Sequence, residues 1–252
     1  MRWWKPNRKS PVRVGACSDV GRVRTENQDA YGCFPAGEEA GERLFVVADG
    51  MGGHAHGREA SHLAVEVIRE VYFAGRRGPA GERLRRALEQ ANARVYARAQ
   101  QGSTGPERMG TTCTALVLDG EHAHMAHVGD SRAYRIDARG IRQLTRDHTF
   151  VNELVGQGIL TPDEAQHHPR RHALTRALGI QPTLQVDVLE NLPVQERQTF
   201  VLCTDGLAPV SEAEIREVVE ALPPQEASEK LVRMANERGG PDNVTVLVVA
   251  VG

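Results

Sequence analysis

Aspartates stand where short apolar runs stop. Asp49 closes Leu44-Phe45-Val46-Val47-Ala48 and is followed by Gly50. Asp205 closes Phe200-Val201-Leu202-Cys203-Thr204 and is followed by Gly206. Asp130 follows His127-Val128-Gly129, Asp242 stands with Asn243 just before the last apolar segment, and Asp29 closes the stretch that begins at Arg24. A carboxylate at the end of a buried strand is held on rigid backbone while its head leaves the core. A glycine after it lets the chain turn tightly, so that the next carbonyl can face the same ligand. Several such carboxylates brought together would repel one another unless a cation neutralised them. Hard divalent ions such as Mg²⁺ and Mn²⁺ favour oxygen donors of this kind. A single Asp-Gly is an ordinary turn dipeptide. Its repetition at strand ends points to a metal site, although spacing alone does not prove one.

The elements that must carry these residues can be read from periodicity. Strands are expected over Val12–Ser18, Leu44–Ala48, Thr112–Leu118, His122–Val128, Ala133–Ile136, Leu184–Leu189, Thr199–Cys203 and Val244–Val249, each short and bounded by turn residues. Ala60, Leu63, Ala64, Val67, Ile68 and Val71 recur at spacings of three and four, which predicts a helix over Glu59–Phe73. Gly81–Gln101 repeats that pattern. Two more helices are expected over Glu212–Leu222 and Gln225–Arg238, separated by Pro223-Pro224. Strands and helices come in runs rather than in alternation, so a doubly wound parallel sheet is not expected. The reading is α+β, with antiparallel sheets packed together and helices outside.

The bulk numbers exclude several classes. The chain has 252 residues and a formal net charge of −2, so no global field draws it onto nucleic acid. It holds no apolar run of about 18 residues, so no membrane span is expected, and the amino-terminal tail lacks the apolar stretch of a secretory signal. Cys17, Cys33, Cys113 and Cys203 are far apart, which suits reduced thiols and a cytoplasmic location. Residues 1–11 form a basic tail with Arg2, Lys5, Arg8, Lys9, Trp3 and Trp4; a solvated terminus is its plainer reading, docking on a partner the sharper one. Residues 12–252 read as one domain.

At this point the residues resemble a known family. SDVGRVRTENQDA (Ser18–Ala30), VVADGMGGH (Val46–His54), GTTCTALVL (Gly110–Leu118), HVGDSRAYR (His127–Arg135), LTRDHT (Leu144–Thr149), HPRRHALTRALG (His168–Gly179), LCTDGL (Leu202–Leu207) and GGPDNVTV (Gly239–Val246) occur in the order found in the metal-dependent protein phosphatases of the PPM group, the type 2C serine/threonine phosphatases, in their compact bacterial form. The resemblance implies a central sandwich of two antiparallel β-sheets flanked by α-helices on both outer faces. It also implies two Mn²⁺ or Mg²⁺ ions at one end, with a weaker third. By motif, Asp49 bridges both ions, the Gly50 carbonyl binds one, Asp205 and Asp242 bind the other, and Asp130 helps to hold the third. Asp29 lies close by and orients their waters, and Arg24 grips the substrate phosphate. The implied substrates are phosphoserine and phosphothreonine in proteins, including a bacterial serine/threonine kinase of the Hanks type, and the expected state is a monomer. Many eukaryotic members carry His directly after the Asp-Gly; here that residue is Met51, His54 lies near it in sequence, and the general acid stays unassigned.

No CxxxxxR loop is present, so a cysteine nucleophile is not indicated, and Gly50-Met51-Gly52-Gly53 lacks the residues of a nucleotide loop. His122 and His124 would share a strand face, where a polar surface is the plainer reading than a zinc site. Asp147-His148 is read as an anchor for a flap over residues 147–180, in which Arg170, Arg171 and Arg176 suit phosphorylated loops. Two alternatives to a protein phosphatase are a non-catalytic relative that binds phosphoproteins, and an enzyme for small phosphate esters.

Overall fold

The computed structural model describes residues 11–35, 41–53, 55–75, 77–102 and 109–252; the Trp3-Trp4 tail and His54 lie outside them. The strands of the middle of the molecule are apolar on both sides because both sides are covered. In β3 (Arg43–Met51), Leu44, Val46 and Ala48 face one cluster of side chains while Phe45 and Val47 face another. In β10 (Gln198–Cys203) and β11 (Val244–Val251), Phe200, Leu202, Leu247 and Val249 join Phe45 and Val47, and Val201, Cys203, Val246 and Val248 turn the other way. This side-to-side alternation within continuous apolar runs builds three cores from two sheets.

The first sheet has the order β1 (Val12–Asp19), β11, β10, β7 (Arg132–Asp137), β8 (Gly140–Gln143), with antiparallel pairings throughout. The second runs β2 (Asp29–Pro35), β3, β5 (Cys113–Leu118), β6 (His122–Val128), β9 (Asp187–Pro193), again antiparallel, and the two-residue β4 (Gly110–Thr111) extends β3. Helices α1 (Ala55–Ala74) and α2 (Ala80–Gly102) pack on the outer side of the second sheet through Ala60, Ala64, Ile68, Leu84, Leu88 and Ala91. Helices α5 (Glu212–Ala221) and α6 (Pro224–Glu237) cover the outer side of the first through Ile215, Val218, Leu231 and Ala235. The result is the four-layer α-β-β-α sandwich. Buried Arg83 ties α2 to the turn before β3, donating two bonds to Glu42 (2.9 and 3.0 Å) while its guanidinium lies over the Tyr72 ring.

Residues 147–180 are more ordered than a Gly-, His- and Arg-rich stretch suggests. Thr149 caps α3 (Phe150–Gly156), and Thr161 with Glu164 forms a reciprocal capping box that starts α4 (Pro162–His167). The strand expected over Leu184–Leu189 begins later, at Asp187. Its partner β6 ends at Val128, and pairing reaches only His127 opposite Asp187. Leu184 and Val186 therefore serve as packing residues beneath α2 rather than as ladder residues. Strands β2, β4 and β8 were not expected; β4 and β8 are short, and in β2 the apolar residues are interrupted by Gly32 and bounded by Asp29 and Pro35.

The inter-sheet core should dominate stability. Phe45→Ala is expected to lower unfolding free energy by about 3–5 kcal/mol, read as a lower midpoint in urea. Val23→Ala, at a residue 67% exposed, should leave the unfolding free energy within about 0.5 kcal/mol of wild type.

Candidate metal centre

All of the aspartates singled out by sequence come to one end of the sandwich. Asp29 starts β2 and Asp49 lies near the end of β3, and the register sets these two directly opposite each other. Like charges in that position are unfavourable. Asp29 is buried, and one carboxylate oxygen is held by two hydroxyls from the other sheet, Thr204 (2.8 Å) and Thr245 (2.7 Å). Its second oxygen, Oδ1, is buried without a partner, as is Oδ1 of Asp205.

The backbone of Asp49 is fixed by threonines to which the sequence reading gave no role. Its N–H donates to Thr112 Oγ1 (2.9 Å), and its carbonyl accepts from the Thr111 hydroxyl (2.9 Å) and the Thr112 N–H (2.9 Å). Thr112 Oγ1 also bonds Ser131 Oγ (2.7 Å), and the Thr114 hydroxyl donates to the Ser131 carbonyl (3.1 Å). Hydroxyls in an otherwise apolar strand were the available signal, because a buried polar group must find a partner. Gly50 is required by close approach: a Cβ there would collide with the carbonyl oxygens of Gly57 and Gln28.

Asp130 follows Gly129, whose φ of +111° suits glycine. The Gly129 N–H donates to His148 Nδ1 (3.1 Å), and its carbonyl accepts the His148 N–H (2.7 Å). Because Nδ1 accepts, Nε2 carries the proton and donates to Asp187 (3.1 Å). Asp147 is gripped by Arg132 through Nε and Nη2, the shortest contact being 2.6 Å. The anchoring role expected of Asp147-His148 is thus visible as two pins on one edge of the flap. The other edge is held where Leu178 exchanges backbone bonds with Thr111.

Asp205 opens a single 3-10 turn after β10. Asp242 accepts from the Asn243 N–H (2.9 Å) and from Arg24 Nη2 (2.7 Å). Asn243 in turn holds the loop that carries Arg24, accepting the Gln28 N–H (2.8 Å) and donating to the carbonyls of Val20 (2.8 Å) and Glu26 (2.9 Å). Among the paired histidines, His124 bonds Asp119 (3.1 Å), and no third ligand joins it and His122 among the described residues. Met51 is half-buried at the end of β3.

The charges acknowledge one another. Burial, then Asp205 and Asp242, raises Asp29 to about 7 against the two hydroxyls. Burial and Asp205 raise Asp130 to about 7. Burial, followed by Asp29, Asp205, Asp130 and Asp242, holds Asp49 well above the ordinary carboxylate range, and Asp205 is raised by burial and Asp242. Arg24 is raised by its bond to Asp242 and by Asp49 and Asp205. The residues fit a centre for hard cations, with orphaned buried oxygens and more negative charge than one arginine neutralises. Among the described residues no group of three or more His, Cys, Asp or Glu side chains is drawn together tightly enough to hold a metal ion by itself. An open arrangement suits ions that keep several waters.

A family model described as protein phosphatase 2C matches residues 21–243. The chain is 36% identical over 244 residues to the serine/threonine protein phosphatase PstP of Mycobacterium tuberculosis, covering 95% of this chain but 45% of that protein's length. It is 35% identical to the serine/threonine phosphatase stp of Listeria monocytogenes, covering 92% of this chain and 93% of that one. The solved catalytic domain of PstP in complex with two manganese ions superposes with a TM-score of 0.79 at 35% identity, over 95% of this chain and 98% of that one. The chain belongs to the protein phosphatase 2C family.

A carboxyl whose folded-state pKa is raised keeps a proton that the unfolded chain has lost, so its stabilising contribution disappears as pH rises from about 4 to about 7. His127, held neutral by burial with its pKa lowered to about 3, works in the opposite direction below pH 6.5. In chelator, the Tm should therefore fall between about pH 6.5 and 7.5, and saturating Mn²⁺ should flatten that slope. A flat metal-free profile would mean that the carboxylates do not share one field.

Proposed function

We propose that the chain hydrolyses phosphoserine and phosphothreonine in proteins, using two divalent cations held by Asp49, Gly50, Asp205 and Asp242. The observation that carries this reading is the convergence of acidic side chains from separate strands, with the Arg24 fork beside them. Membership of the family supports it. Divalent ions bound there would supply a nucleophilic water at neutral pH and positive charge for the phosphoryl oxygens.

The chain's own groups then divide the work. Asp49, on a backbone fixed by Thr111 and Thr112, would be shared by the two ions, and the Gly50 carbonyl would help to hold one of them. Asp205 and Asp242 would hold the other. Asp130 would help to hold a weaker third ion, and Asp29 would orient water. Arg24 offers a planar, permanently charged fork to the substrate phosphate, exchanging part of its bond with Asp242 for phosphate oxygens. Mn²⁺ and Mg²⁺ both suit the donor set, and the PstP domain holds manganese.

Substrates are phosphorylated proteins, with a serine/threonine kinase as the class of partner whose action this chemistry reverses. The chain acts as a monomer in the cytoplasm. A phosphoprotein-binding scaffold without activity is disfavoured because Asp49, Asp130, Asp205 and Asp242 are all kept. An enzyme for small esters differs by its rates, so phosphopeptides and phosphometabolites should be compared with Mn²⁺ present.

Asp49→Asn is expected to lower Mn²⁺-dependent turnover by about 10³-fold or more, roughly 4 kcal/mol of barrier, while the far-ultraviolet CD spectrum is kept. Wild-type rates would remove Asp49 from the bridging role. Asp130→Ala should reduce turnover with phosphoprotein more than it weakens binding of the two main ions by calorimetry. Unchanged rates and metal titration would remove the third ion.

A further inference from the structure

A cavity of about 580 Å³ lies between the flap and the body of the molecule, and its lining includes Asp130 and Asp205. It is continuous with the carboxylate cluster and has room for a few peptide side chains. One wall comes from α3 and α4. The other comes from β7, β8, the turn after β10 and α5. Of the apolar residues in this lining, Tyr134, Val151, Leu207 and Ile215 are at most 5% exposed, whereas Val155 is half-buried and Pro162 and Ala208 are exposed. The accessible lining mixes apolar and polar surface, and its polar part includes the exposed Arg146, Arg171 and His172.

Charge accounting gives the space a sign. Asp147 and Arg132 neutralise each other within the wall. Asp130 and Asp205 belong to the metal centre. Of the arginines singled out in the flap, Arg176 is committed to Asp187 (2.9 Å) and Arg170 lies over the Phe150 ring, 4.1 Å from its centroid. Arg171 pairs with no carboxylate among the described residues, and Arg146 donates only to the Asn152 carbonyl (3.2 Å). What remains uncompensated is cationic, and a guanidinium recognises carboxylate and phosphate oxygens through its fork.

We propose that this cavity is a specificity subsite for an anionic substrate residue close to the phosphoresidue being hydrolysed, with Arg171 as its principal contact and Arg146 as the second. The inference rests on the protein-phosphatase reading and names the class of sequence that the site prefers. The anionic group is either an acidic side chain or a second phosphate, which share the same chemistry. The centre selects phosphate monoesters; the flap cavity selects among phosphoproteins.

The test uses the full chain with Mn²⁺ and a set of phosphothreonine peptides. These carry one Glu, one further phosphothreonine or one Gln at each position from two before to four after the phosphoresidue. For at least one position, wild type should favour the anionic peptide over its Gln counterpart by about five-fold in kcat/KM, mainly through KM. That ratio should approach one in Arg171→Gln, be largely kept in Arg171→Lys, and shrink as salt is raised from about 50 to 500 mM. Each ratio is internal to one variant, so loss of folded protein does not imitate the result. Glu and phosphothreonine arms that differ identify which anion is preferred. Wild type without an anion preference at any position, or a preference unchanged in both Arg171→Gln and Arg146→Gln, overturns the subsite while leaving the phosphatase reading intact. No turnover of any phosphopeptide, with turnover of small esters retained, overturns both.

Discussion

Negative charge that has nowhere to go organises this molecule. Asp29 and Asp49 face each other across two strands, and Asp205, Asp130 and Asp242 add to the same field from three other places in the chain. Left to themselves these groups resist ionisation, so part of the stability won by the apolar layers is spent on keeping them together. The arrangement persists because each is attached to an element that the core holds independently. Strands β3, β10 and β11 are apolar on both sides, and their ends cannot drift apart without disturbing the inter-sheet packing. A cation bound among these carboxylates would offset their repulsion, which would couple ion binding to folding.

The polar bracing around the acids is as specific as the acids themselves. Thr204 and Thr245 satisfy one oxygen of Asp29 and leave the other unsatisfied. Thr111 and Thr112 hold the peptide of Asp49, while Thr112 and Thr114 also reach Ser131, beside Asp130. Neutral hydroxyls can do this where lysines could not. They fix position without cancelling the charge that an ion must meet.

Much of this was legible from the residues. Apolar runs of strand length gave β3, β5, β6, β10 and β11 within a few residues, because burial on both faces leaves a strong signal. Three- and four-residue spacing revealed α1 and α2, because each covers a sheet with one stripe, and Pro223-Pro224 marked the break between α5 and α6. The acidic positions were visible as strand-end residues, although their roles came from the family resemblance rather than from spacing. What escaped was whatever depends on partners distant in sequence. Strand β2 has few consecutive apolar residues and exists because β3 pairs with it. The start of β9 is decided by where β6 ends. The flap helices were within reach, since Thr161-Pro162-Asp163-Glu164 spells a helix start, but their Gly- and Arg-rich surroundings hid it. The commitments of Arg170 and Arg176 to Phe150 and Asp187 were beyond any sequence pattern.

Asn243 has a wider consequence. Its side chain stitches three backbone groups of the segment bearing Arg24, and its own amide N–H is spent on the neighbouring Asp242. The segment that bears Arg24 and the carboxylate of Asp242 are therefore both tied to one residue, the first through its side-chain carboxamide and the second through its backbone N–H. A substitution at Asn243 would therefore disturb the Arg24 segment and Asp242 together, whereas the flap is pinned elsewhere, through Asp147 and His148.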